Sequence, residues 1–191
     1  PCKNIELLSR LPLADIGGGS SGADSWGWKD VENDRYYALL ARSTGTSFVD
    51  VTDPAAPVYL GNLPTSAGNR PWRDVKVYAN HAFIVAGDIP NHGMQVFDLT
   101  RLRGLTSPRT FTVDTLYSNI GEAHNIAINE DSGFAYIVGA DECAGGLHMV
   151  DVSDPKSPSF AGCFSSEGYT HDVQCVTYSG PDTDHQGDEI C

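Results

Sequence analysis

Positive charge is scarce in this chain: 12 Lys and Arg face 25 Asp and Glu over 191 residues, a formal net charge of −13. A surface of that sign repels phosphate backbones and anionic lipid headgroups, which excludes nucleic acid as a partner. No run of eighteen apolar residues occurs, so this segment has no membrane span of the helical kind. Asn-x-Ser/Thr sequons are absent and N-glycosylation is not expected. Five cysteines are present (Cys2, Cys143, Cys163, Cys175, Cys191), none in the Cys-x-x-Cys spacing of a structural zinc site. Disulfides are their default use, and an oxidising, extracytoplasmic compartment follows. Helical periodicity is nearly missing, with one short candidate turn from Leu99 to Leu105. With 40% hydrophobic residues the chain still has ample material for a core, so disorder is excluded.

What the chain does have is a repeat. Ser47 to Pro54 (SFVDVTDP), Met94 to Thr100 (MQVFDLT) and His148 to Pro155 (HMVDVSDP) align on Asp50, Asp98 and Asp151. An apolar stretch precedes each: 37–41, 82–86 and 135–139. Earlier still lie Arg73-Asp74-Val75, His124-Asn125-Ile126 and His171-Asp172-Val173, in matching positions. Each unit reads as four short strands rich in Val, Ile, Tyr and Phe, separated by Gly, Pro, Asn and Asp turns. Four strands at a period of about 50 residues predict an all-β chain, a β-propeller of four-stranded blades rather than a helical solenoid. The blades are expected at 24–64, 72–113 and 122–164, with 170–191 starting a fourth. Residues 58–64 resemble residues 5–12, which predicts that 3–12 supply a closing outer strand and that the chain is the N-terminal portion of a longer propeller.

Paired residues of an antiparallel hairpin have a constant index sum. A turn at 154–156 gives the third unit a sum near 310, and Cys143 with Cys163 gives 306; Cys175 and Cys191 centre on Thr183 inside a polar loop. Cross-strand separations of about 4.5–5.5 Å suit a disulfide in each case. Both pairs are therefore predicted to be bonded, with the partner of Cys2 outside the segment.

These residues carry a family resemblance. The motif around Asp50, with Trp72-Arg73-Asp74-Val75, His92-Gly93-Met94, Ala123-His124-Asn125 and Tyr169-Thr170-His171-Asp172, resembles the LVIVD-repeat proteins of the choice-of-anchor B type across nearly the whole chain. That resemblance implies a secreted or surface-anchored propeller and supplies no catalytic residue.

Candidate chemistry is thin. Gly18 to Gly22 fits the spacing of a Gly-x-Ser-x-Gly elbow around Ser20, but sits in a glycine-rich loop without the strand and helix that motif requires. Arg73, Asp74, His124, Asn125, His171 and Asp172 begin the innermost strand of each blade and are expected to line the central channel. There they either satisfy turn and backbone groups or converge on a metal or an anion. Asp50, Asp98 and Asp151, with Asp53 and Asp154, are expected to close turns through local hydrogen bonds. Trp26, Trp28 and Trp72 serve either packing between blades or a sugar. Asp182, Asp184 and Gln186 precede Gly187 in the order of a calcium loop, with Asp188 or Glu189 completing the set, which makes calcium the one expected cofactor. The functional expectation is an extracellular or cell-surface module for binding, adhesion or assembly, with a protein, a glycan or its own kind as partner. The alternative is a metalloenzyme with a histidine site in the channel.

Overall fold

The computed structural model describes residues 3–191, and Cys2 lies outside the described residues. Strands dominate, helix is confined to single 3-10 turns, and no helix among the described residues is long and apolar enough to cross a membrane.

The first sheet is built from β1 (Gly22–Asp30), β2 (Arg35–Arg42), β3 (Gly45–Asp50) and β4 (Val58–Pro64), each antiparallel to the next. In the second sheet, β5 (Arg73–Tyr78), β6 (His81–Ala86) and β7 (Met94–Asp98) follow the same order. Between β7 and the fourth strand the chain makes an excursion, in which β8 (Arg109–Thr110) pairs parallel to β4 of the first sheet. The second sheet is then completed by β9 (Thr115–Tyr117), antiparallel to β7. A third sheet contains β10 (Asn125–Asn129), β11 (Phe134–Val138), β12 (Leu147–Asp151) and β13 (Ser159–Phe164). A two-stranded ribbon, β14 (Val176–Thr177) with β15 (Glu189–Ile190), ends the chain.

The strands form where β-branched and aromatic residues alternate with small ones, and they stop at aspartates that hydrogen-bond forward. The Asp50 carboxylate accepts from the Thr52 amide at 2.9 Å, Asp98 from Thr100 at 3.0 Å and Asp151 from Ser153 at 2.9 Å. Asp53 and Asp154 make the same contact with Ala55 and Lys156, each at 3.0 Å. These are Asx turns, the local competition that ends a ladder. Asp50, Asp98 and Asp151 therefore have a structural role in all three repeats.

Three segments differ from expectation. The fourth strand of the second sheet lies at 115–117, past the expected limit of 113. Residues 99–113 instead bury Leu99, Leu102 and Phe111 in the core shared with the first sheet, where Phe48 stacks on Phe97 at 4.7 Å between ring centroids. Burial of those three side chains favours the excursion over direct continuation into the sheet. Gly61, with φ of +132°, admits it: a Cβ there would collide with the Arg109 backbone. At the other end of the chain, residues 5–12 have no strand partner among the described residues, and Ser9 meets only the Pro54 carbonyl, at 2.8 Å. Residues 171–175 also lie outside any ladder, so the last unit has one hairpin and not the expected first strand.

The predicted disulfides are both present, with Cα separations of 5.7 Å for Cys143–Cys163 and 4.0 Å for Cys175–Cys191. Cys175 and Cys191 extend the ladder of Val176 with Ile190 and Thr177 with Glu189 in register. Cys163 faces His148 across the third sheet, and Cys143 reaches it from the 3-10 turn Cys143–Gly145 just before β12.

Candidate functional site

The first strands of successive sheets lie beside one another, with β5 between β1 and β10. Their polar residues bridge the sheets. Asp24 accepts from the Val75 amide at 3.3 Å, Asp74 accepts from the Ile126 amide at 2.8 Å, and the Asn125 side chain donates to the His171 carbonyl at 2.7 Å. Asp24 and Asp74 thus grip the backbone of the next sheet through the same position of their first strands, and Asn125, at the equivalent position, holds His171, which lies outside any ladder. Asp24 was not recognised in the sequence as a member of this series. Its signal was the spacing of 50 residues to Asp74, hidden because Ala23 stands where the other units carry Arg or His.

Lys76 ties the first two members together. Its ammonium donates to Asp74 at 2.5 Å and to Asp24 at 3.3 Å, and lies 4.7 Å from the centre of the Trp26 ring. Burial first, and then the hydrogen bond it shares with Asp24, push the Asp74 carboxyl up to about 7. Burial also acts on Asp24, but that shared hydrogen bond and the Lys76 charge outweigh it and hold Asp24 below the usual carboxylate range. The two carboxyls therefore share one proton near neutrality, a single titrating unit.

These strands line a cavity of about 830 Å³. Arg73, Asp74, His124, Asn125, His171 and Asp172 all border it, as do Asp24, Lys76 and the half-exposed Trp72. A second hollow of about 270 Å³ shares Lys76 with it and has Trp26 in its wall. Within the larger one, the Nε2 atoms of His124 and His171 stand 2.9 Å apart, with ring centroids at 4.3 Å. Burial, then the neighbouring His171 ring, lower the pKa of His124. Asp172 turns back onto the Val173 amide at 2.8 Å, as Asp74 does onto Val75 at the same distance.

Arg73 stands behind this wall. One of its Nη atoms is 3.0 Å from Nε2 of His92 and the other donates to Thr65, while its Nε has no partner among the described residues. No carboxylate pairs with it; burial and the nearby Arg42 lower its pKa to about 10. His92 is fully buried here, and burial followed by the Arg73 charge lowers it to about 4. It serves as a neutral acceptor for the guanidinium, a role that no spacing in the sequence disclosed.

Other candidates fall elsewhere. Trp28 is buried, stacks on Tyr37 at 4.8 Å and donates to Asn80 of the second sheet, so it packs. Ser20 hydrogen-bonds Ser43 in the loop before β1, with no helix after it, and makes no nucleophile elbow. The expected calcium loop is not assembled. Asp182 caps its own turn through the Asp184 amide at 3.1 Å, and Gln186 donates to the Gly180 carbonyl. Asp188 pairs with His185 at 3.2 Å, and Glu189 accepts from Asn129 at 2.7 Å and Ser132 at 2.9 Å on the third sheet. Local turn bonds and a neighbouring sheet thus engage oxygens of Asp182, Asp188 and Glu189. Among the described residues no group of three or more His, Cys, Asp or Glu side chains is placed to hold a metal.

Residues 120–165, which span the third sheet, match the LVIVD repeat. No curated protein matches the chain. The two disulfides and this repeat agree with an extracytoplasmic location.

Proposed function

We propose that the chain is part of a secreted or surface-anchored β-propeller of the choice-of-anchor B type and acts as a binding module, taking a polar ligand, a glycan foremost, at the mouth of its central channel. In this reading the three sheets are blades, and the ribbon of β14 and β15 begins a fourth. The observation that carries it is the cavity itself. First strands of successive sheets converge on one hollow whose walls offer carboxylates, an amide, imidazoles and an exposed indole within a single space.

Concave sites with a few converging polar groups are where small ligands bind. Trp72 is 54% exposed at the rim and supplies a face for the apolar side of a sugar ring. Asp172 and Asn125 offer the acceptors and donors that hydroxyls need. The disulfides suit an oxidising location, and the net negative charge argues against a nucleic acid or anionic membrane as occupant.

Titration of the labelled protein with a panel of mono- and oligosaccharides, followed by amide and indole NMR shifts, tests the reading. The expected result is a saturable shift at the Trp72 indole and the Asn125 and Asp172 amides that Trp72→Ala removes. Shifts confined to other faces, or none across the panel, would overturn it.

A further inference from the structure

The paired imidazoles at the mouth have a use beyond holding two strands together. We infer that His124 and His171 form a two-nitrogen site for a divalent transition cation of the copper(II) kind, open on its remaining positions to the cavity. The site lies in the hollow on which the binding-module reading rests, but does not depend on a glycan occupying it.

The argument is geometric. Metal–imidazole bonds of about 2.0–2.1 Å place two nitrogens roughly 2.9 Å apart at a ligand angle of 90°, and about 3.3–3.4 Å apart at the tetrahedral angle. The two Nε2 atoms stand 2.9 Å apart, the right-angled spacing. That angle belongs to the square-planar and tetragonal sets of copper(II) and nickel(II), whereas zinc prefers the tetrahedral one. Copper(II) also heads the affinity order for nitrogen ligands.

The backbone that carries each ring is held in place before any ion arrives. The His124 amide donates to the Val138 carbonyl at 3.0 Å, and the His171 carbonyl accepts from the Asn125 side chain at 2.7 Å. A ligand pair fixed by its backbone loses little freedom on binding. Without the ion, one ring's Nε2–H donates to the other's lone pair. With it, both rings are neutral, carry their proton on Nδ1 and present Nε2 lone pairs, so that one proton moves between nitrogens and the total is unchanged. The cavity beside the pair leaves room for water or a small oxygen or nitrogen ligand on the open positions.

Copper(II) alone, titrated into the purified chain at neutral pH and followed by calorimetry and electron paramagnetic resonance, tests the inference. One equivalent should bind with hyperfine splitting from two nitrogens. His124→Gln and His171→Ala should each weaken binding by well over tenfold, more than the roughly tenfold minimum for loss of an outer-shell partner. His185→Ala, on the exposed loop, should change nothing. Circular dichroism of each variant separates a lost ligand from a lost fold, and His171, being exposed, is the position least able to unfold the chain. Unchanged copper binding in the folded double variant, or a spectrum without two-nitrogen splitting, would overturn the site. Saccharide shifts at Trp72 that persist in such a case would leave the binding-module reading standing, and copper binding without them would do the reverse.

Discussion

Replacing Asp74 with alanine probes how the sheets are joined. Its carboxylate accepts from Ile126 on the third sheet at 2.8 Å, from Val75 at 2.8 Å and from Lys76 at 2.5 Å, and the residue is 4% exposed. Alanine orphans the Ile126 amide, a buried donor that costs about 1–3 kcal/mol when left unpaired. Lys76 also loses its nearer carboxylate, a charged hydrogen bond worth about 1.5–3 kcal/mol, though Asp24 remains within reach. Against this, one buried carboxyl no longer has to be desolvated, so a net loss of about 2–4 kcal/mol is expected. Asp74→Asn keeps an acceptor for Ile126 and relieves the crowding with Asp24, so its loss should stay below about 1.5 kcal/mol. Asp24→Ala orphans nothing, because the Val75 amide still has Asp74, and should cost about 1 kcal/mol or less. Urea unfolding followed by tryptophan fluorescence reads all three, Trp26 lying over Lys76. The expected order is Asp74→Ala far above Asp74→Asn and Asp24→Ala. An Asp24→Ala loss equal to that of Asp74→Ala, or an Asp74→Ala loss below about 1 kcal/mol, would refute the clamp.

Four further outcomes are expected. The folded chain keeps a proton on the Asp24 and Asp74 pair up to about pH 7 that the unfolded chain releases near 3.8, so stability from this source is present in acid and lost as pH rises through about 7. His92 works the other way: its pKa of about 4 lies below the ordinary 6.5, so its contribution is lost as pH falls through that window. Comparing wild type with Asp24→Asn at about pH 5 and about pH 8 isolates the carboxyl pair, and the variant should show the smaller loss on the alkaline side. Opening either disulfide, by Cys143→Ser with Cys163→Ser or by Cys175→Ser with Cys191→Ser, should cost roughly 3 kcal/mol in a chain-entropy account; melting points unchanged from wild type would count against that. Phe48→Ala removes a ring stacked between the first two sheets and should cost about 3–5 kcal/mol in urea unfolding, with less than about 2 kcal/mol contradicting the shared core.

Much of this architecture is legible in the residues because the repeat encodes backbone chemistry. Asp50, Asp98 and Asp151 end strands through bonds to a residue two places on, so the motif and the turn are the same object. One cysteine pair follows from hairpin arithmetic for a like reason, since Cys175 and Cys191 share the index sum of the ladder they extend, whereas Cys143 reaches Cys163 from a turn outside the register. The placing of Arg73 at the start of a first strand and of His124 just before one is equally local, whereas His171 stands outside any ladder. What the sequence hides is contact between sheets. Asp24 does its work on the next sheet's Val75, and nothing nearby in the chain marks it. Lys76 reads as an ordinary exposed strand lysine until two carboxylates close on it. The excursion over 99–113 depends on whether Leu102 and Phe111 find a core, and that core belongs to the preceding sheet. In the acidic loop at 182–189 the residue order is right for an ion, yet turn bonds and the third sheet engage oxygens of Asp182, Asp188 and Glu189, a competition that spacing does not show.

The account stands on the claim that consecutive sheets are joined through the carboxylates of their first strands. Hydrogen exchange at the Ile126 amide, measured by NMR in wild type and in Asp74→Ala, tests it most directly. The clamp predicts slow exchange in wild type and an acceleration in the variant confined to Ile126 and its immediate neighbours. An Ile126 amide that exchanges rapidly in wild type, or is equally protected without Asp74, would contradict it.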